Sequence, residues 1–156
     1  MPSTLHAKSA SAALLLCLSA LGVHAQNAQH YLVTPLVSNL PSAAPTQDAN
    51  LVNGWGLSRS SKSPWWISDN GTGLSTLYDG TGKIQSLVVP VPPGDSSNPS
   101  GTPTGTIFNG DPNAFPVAPG KAAAFLFATE DGTISGWNPG VNASAVIMVN
   151  KHGSAS

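Results

Sequence analysis

The sequence predicts an all-β fold on three observations. β-branched and aromatic residues gather in short runs, the runs are separated by Gly, Pro, Asn and Asp turn signals, and one group of runs recurs later in the chain. With 16 Gly and 14 Pro in 156 residues, long helices are disfavoured and turns are plentiful. The low charge would also suit a solvated chain, but such a chain has no use for clustered β-branched and aromatic side chains.

The first 25 residues read as a targeting segment. Lys8 is followed by a 14-residue, mostly apolar run from Ala10 to Val23, and Val23-His24-Ala25 supplies a small-residue cleavage site before Gln26. That run is shorter than the roughly 20 residues a membrane-spanning helix needs, and no later segment is a candidate span. Cys17, the only cysteine, would leave with the peptide, and Leu16 stands where a lipid-anchored chain needs a small residue. A secreted or periplasmic product of 131 residues is therefore expected, without a thiol for a disulfide, a zinc-thiolate site or a nucleophile.

After residues 26–50, read as a strand at His30 to Val37 followed by a polar, Pro-bearing linker, the chain divides in two. The first unit, 51–92, has strands near Trp55 to Ser58, Trp65 to Asp69, Leu74 to Tyr78 and Leu87 to Val91. The Pro/Gly/Ser-rich stretch 93–104 is a connection, with loop character starting at Val91. The second unit, 105–150, has strands near Gly105 to Phe108, Phe125 to Thr129, Ile134 to Trp137 and Ala145 to Val149, and a polar tail fills 151–156.

The two units match. Asp69-Asn70-Gly71-Thr72 and the following Leu74 to Tyr78 align with Glu130-Asp131-Gly132-Thr133 and Ile134 to Asn138 if Gly73 is an insertion. Ser86 to Val89 matches Val146 to Val149. Asn70-Gly71, Asp131-Gly132 and the Asp79 to Gly82 stretch supply residues that tolerate positive φ in tight hairpins. Repeated four-stranded meanders predict a partial β-propeller of about two antiparallel blades, with a β-sandwich as the alternative. Blades need a neighbour on each face and propellers close with at least four, so an N-terminal fragment lacking its remaining blades is expected.

Three stretches also carry a family resemblance: Asn50 to Tyr78, including WGLSRSS; Gly101 to Gly105 with Phe108-Asn109-Gly110; and Phe127 to Trp137, including ATEDGTISGW. They resemble the N-terminal part of a family of uncharacterised exported bacterial β-propeller proteins of the NHL-like type, over roughly residues 30–150. The resemblance implies fold and export, and it implies no reaction. Members of that family continue for further blades, whereas this chain stops at Ser156.

Candidate chemistry is sparse. Five cations remain after Ala25 against seven carboxylates, leaving no cationic stripe for nucleic acid. Only His30 and His152 would survive cleavage, and no G-x-S-x-G elbow, P-loop or dinucleotide fingerprint occurs. Asn70-Gly71-Thr72 and Asn142-Ala143-Ser144 fit the glycosylation sequon, which matters only in a eukaryotic host. Glu130, Asp131 and Asn109, with Asp69 and Asn70 as further oxygen donors, are candidate ligands for a divalent cation in a full-length form, or else simply turn residues. Trp55 and Trp137 are candidate platforms for a sugar ring, against a role in packing; Trp65 and Trp66, adjacent on one strand, must face opposite sides. The leading expectation is a non-catalytic binding or scaffold module without a resident cofactor, its partner an unidentified protein or glycan. The alternatives are part of a metal-dependent lactonase or hydrolase, and a carbohydrate-binding surface.

Overall fold

Short runs of alternating side chains closed by tight turns make antiparallel ladders, and the computed structural model, which describes residues 31–154, is built almost wholly from them. The chain divides after Val33, and the architecture below is that of the unit beginning at Thr34. Two short strands, β1 (Val37–Ser38) and β2 (Thr46–Gln47), pair in parallel. The first main sheet follows, with β3 (Gly54–Ser58), β4 (Trp65–Asp69), β5 (Leu74–Tyr78) and β6 (Val89–Pro90) adjacent in chain order. The second contains β7 (Pro103–Phe108), β10 (Phe125–Thr129), β11 (Thr133–Trp137) and β12 (Val146–Asn150), again in order. A small hairpin, β8 (Pro116–Ala118) and β9 (Lys121–Ala122), is inserted between β7 and β10. Among the described residues there is no helix, so the fold is all-β.

Several expectations change: the strand read at Leu87 to Val91 is only Val89–Pro90, and the expected linker holds β2. His30 lies outside the described residues, and Tyr31 to Leu36 form no strand, because Pro35 has no N–H to donate to a ladder; pairing starts only at Val37. The connection between the sheets ends earlier than expected, since Pro103 and Thr104 already belong to β7, with Pro103 at the strand's first position.

The two sheets are equivalent strand by strand. Trp65↔Tyr78 through Ser68↔Ser75 in the first correspond to Phe125↔Trp137 through Ala128↔Ile134 in the second. The bulge between Gly54 and Gly56, next to Asp69, recurs between Pro103 and Thr106, next to Thr129. Asp69 therefore occupies the place of Thr129, one residue away from the match of the two turn texts. The cause is the tip loop, which is one residue longer in the first sheet. Its extra residue, Gly73, takes φ 70° and donates its N–H to the Asp69 carbonyl at 2.9 Å, while Gly132, at φ 82°, closes the shorter loop. Gly71 is not among the residues with positive φ.

The sheets pack face to face on an aromatic core. Trp66 stacks on Phe125 at 4.0 Å between ring centroids, with Trp137 at 5.0 Å and Phe127 at 6.4 Å. Leu77, Val89 and Val91 complete it from the first sheet. Each aromatic pair adds about 0.5–1.5 kcal/mol beyond the area it buries. Toward the tips, small buried residues (Ser68, Ser75 and Ser135) replace the rings on the facing surfaces. At Gly56 the sheets approach closely, since a Cβ there would lie 2.7 Å from the Thr104 carbonyl and from the Thr106 nitrogen. The opposite surface of the first sheet carries Trp65, with Arg59 over its ring at 5.1 Å.

Candidate functional site

The tips of the two central hairpins lie side by side and make a polar rim. Asn53, in the left-handed region at φ 53°, enters β3 beside the first tip, and its carbonyl accepts the Asn70 N–H at 3.1 Å. Its side-chain amide donates to Asn70 Oδ1 at 3.0 Å, and Asn70 Nδ2 donates to Glu130 Oε2 at 3.1 Å. An exposed amide–amide–carboxylate chain thus crosses from one sheet to the other. Beside it, the Glu130 N–H is held by the Thr102 carbonyl at 3.1 Å.

Asp131 faces the connection between the sheets. One carboxylate oxygen accepts the Gly94 N–H at 2.6 Å, and the other accepts the Thr129 hydroxyl. Burial alone would push this carboxyl up, but those hydrogen bonds outweigh it and hold the group below the usual carboxylate range. Asn150 adds a bond from Nδ2 to the Gly94 carbonyl at 2.8 Å, and His152 lies 3.8 Å from Asp95.

The oxygen donors proposed from sequence do not form one shell. Asn109 lies past the far end of β7, where its N–H meets the Ala124 carbonyl. It is therefore about 20 Å from Glu130, the length of β10. Its amide is occupied there, with Nδ2 shared among the carbonyls of Asp111, Ala114 and Ala123 at 2.9–3.0 Å. Glu130 and Asp131 are adjacent, yet both Asp131 oxygens are engaged in holding the Gly94 connection and the tip.

The tryptophans separate as well. Trp137 is 7 % exposed and lies in the core against Trp66, out of reach of a ligand. Trp55, at the bulge of β3, is 57 % exposed. Trp65 and Trp66 take opposite faces, as adjacent residues on a strand must.

A buried carboxylate cluster escapes the sequence. Asp69 is fully buried, and its Oδ2 accepts the Thr76 N–H at 3.0 Å. Burial is the main cause that pushes its carboxyl up to about 7, with the nearby Asp48 charge adding to it. Asp48 in turn accepts the Tyr78 hydroxyl at 2.9 Å, and burial raises that phenol above its ordinary range. Asp69 looks like a turn residue in the sequence, and nothing in the text joins Asp48 to a tyrosine 30 residues away. Compared with protein-family models, curated proteins and solved structures, the chain matches none.

Proposed function

We propose that this chain is an exported, non-catalytic binding or scaffold module, built as a two-blade portion of a β-propeller, with the polar rim at the hairpin tips as its recognition surface. One observation supports this above others: all seven carboxylates have a hydrogen-bonding role within the fold. Asp48 holds Tyr78, Asp69 holds its own hairpin, and Asp131 ties down Gly94. Asp79, Asp95 and Asp111 each accept backbone N–H groups within their turns. Glu130, exposed at the rim, is the one whose bond goes to the half-buried Asn70 of the other sheet. Exposed amides and a carboxylate on a rigid edge suit hydrogen bonding to a polar partner, and they offer no activated nucleophile. The blade reading is supported by the repeated meanders, their shared bulge and their face-to-face packing.

Export through the N-terminal segment is part of this proposal; residues 1–30 lie outside those described. Among the described residues, no helix is long and apolar enough to cross a membrane.

A thermal melt with and without millimolar calcium or zinc tests the module against a metal-assisted hydrolase. The expected result is no shift. A stabilisation that Glu130→Ala abolishes would replace the scaffold reading with a metal site at the rim. The exposure of Trp55 favours one further reading, a sugar-stacking surface. It predicts quenching of tryptophan fluorescence by a polysaccharide and loss of that quenching in Trp55→Ala; an unchanged spectrum across a glycan panel removes it.

A further inference from the structure

The packing between the sheets is directional, and the chain carries residues equivalent to both halves of that contact a second time, partly covered and open only toward the leading strands. In the contact that exists, the second sheet presents Thr106, Phe125, Phe127 and Trp137, and the first sheet receives them with Gly56, Trp66, Leu77 and Val89. The strand equivalence maps the presenting set onto Leu57, Trp65, Ile67 and Tyr78, which lie on the outer surface of the first sheet. It maps the receiving set onto Gly105, Leu126, Gly136 and Val149, on the outer surface of the second. Of these residues, Tyr78 is covered by Asp48, and Leu126 and Gly136 by Val117 and Ala123, so Leu57 on one surface and Gly105 on the other are the parts of the contact left open.

The glycines differ: a Cβ at Gly136 would lie 2.6 Å from Val117 Cγ1 and 2.8 Å from the Ala123 Cβ, whereas Gly105 is open. Gly56 is where the backbone of β7 lies against the first sheet, at 2.7 Å from a notional Cβ. Its equivalent, Gly105, has nothing within 4 Å of that position. An apolar groove lined by Gly105, Ile107, Phe115, Leu126 and Ile134 surrounds it. On the first sheet, a second apolar groove is lined by Leu36, Leu51, Leu57, Trp65 and Ile67. The flanking segments cover these outer surfaces only in part: Leu36 and Leu51 lie over the first, and Val117 of β8 packs on Leu126 of the second. The leading strands stay open, with Leu57 and Ile107 both 60 % exposed.

We propose that a second copy of this chain packs head to tail on the first, the Trp55 to Leu57 backbone of its β3 lying across Gly105 as β7 lies across Gly56. The inference goes beyond the proposed function, and it holds whatever the rim binds. Such a contact joins unlike surfaces, so it propagates until the rotation closes a ring or continues as an open chain.

Sedimentation velocity over a concentration series tests this, on the protein expressed from its full coding sequence and purified in its processed form. Wild type is expected to associate with rising concentration. Gly105→Val adds a side chain where there is free space in the isolated chain, so far-UV circular dichroism and Tm should be kept while association is lost. Leu57→Asp and Ile107→Asp each spoil one half of the contact. Each is expected to be monomeric alone, and a 1:1 mixture should give a dimer that grows no further. The proposal is overturned by a wild type that stays monomeric at about 100 μM, by a Gly105→Val variant that associates as wild type does, or by either aspartate variant self-associating through like surfaces.

Discussion

Phe127→Ala should remove most of the chain's stability at 25 °C. Phe127 is 1 % exposed, in the second sheet's facing surface, and it packs with Trp66 of the first. Truncating such a ring removes its transfer free energy and leaves a cavity that β-sheet backbones on either side cannot collapse into, which costs about 3–5 kcal/mol. Domains of this size have roughly 5–15 kcal/mol in total, and a single two-sheet core with no disulfide belongs at the lower end. Urea unfolding followed by near-UV circular dichroism should show the midpoint falling to near zero denaturant. Phe115→Ala is the matched control, because Phe115 is 55 % exposed and its loss should stay within about 0.5 kcal/mol. Equal losses in the two variants would mean that the inter-sheet core is not where the stability resides.

The second large effect is a pH dependence with an unusual sign. The Asp69 carboxyl stands at about 7 when folded, against 3.8 for the free group. Between those values the folded chain holds a proton that the unfolded chain has released, so stability falls as pH rises through the window. Below 3.8 both states are protonated and the penalty vanishes; above 7 it is complete, with an upper bound on the order of 4 kcal/mol. Asp79, Asp95 and Asp131 are shifted the other way by hydrogen bonds, and their contributions are lost only as pH drops through their low folded values. They leave the range from pH 5 to 8 to Asp69. Asp69→Asn keeps an acceptor for the Thr76 N–H and removes the charge. Wild type should melt higher at pH 5 than at pH 8, and the variant should be more stable than wild type at pH 8 with a flat profile. A wild-type Tm that climbs over that range would show Asp69 ionising without cost.

The main sheets were legible in the sequence because their signals are local. Trp65 to Asp69, Leu74 to Tyr78 and Phe125 to Thr129 are read to the residue, since each is an apolar run ended by Asp, Asn or Gly. The β8–β9 hairpin was hidden by Pro116 and Pro119, which argue against a strand although Pro119-Gly120 is itself a turn signal. Side-chain placement was less legible. Matching the turn texts slides the second unit by one residue, and a slip of one exchanges the two faces of a strand. Only the bulges and pairings restore the register. Trp137 and Trp55 also look alike in the sequence and part company in the fold, one in the core and one in solvent. The rim chain from Asn53 through Asn70 to Glu130 joins residues 17 and 60 positions apart, and no local pattern announces it.

The succession of hairpins has a kinetic consequence. Except for β7 and β10, which pair across the inserted β8–β9 hairpin, the main ladders join segments that follow one another along the chain, so most of each meander can zip up by closing short loops. Hairpins of this kind form within microseconds, whereas the aromatic seam needs both meanders complete before it yields any free energy. A lengthened tether at Asp95 to Ser100 is therefore expected to slow refolding while leaving the unfolding rate nearly untouched, which stopped-flow refolding and unfolding rates would check.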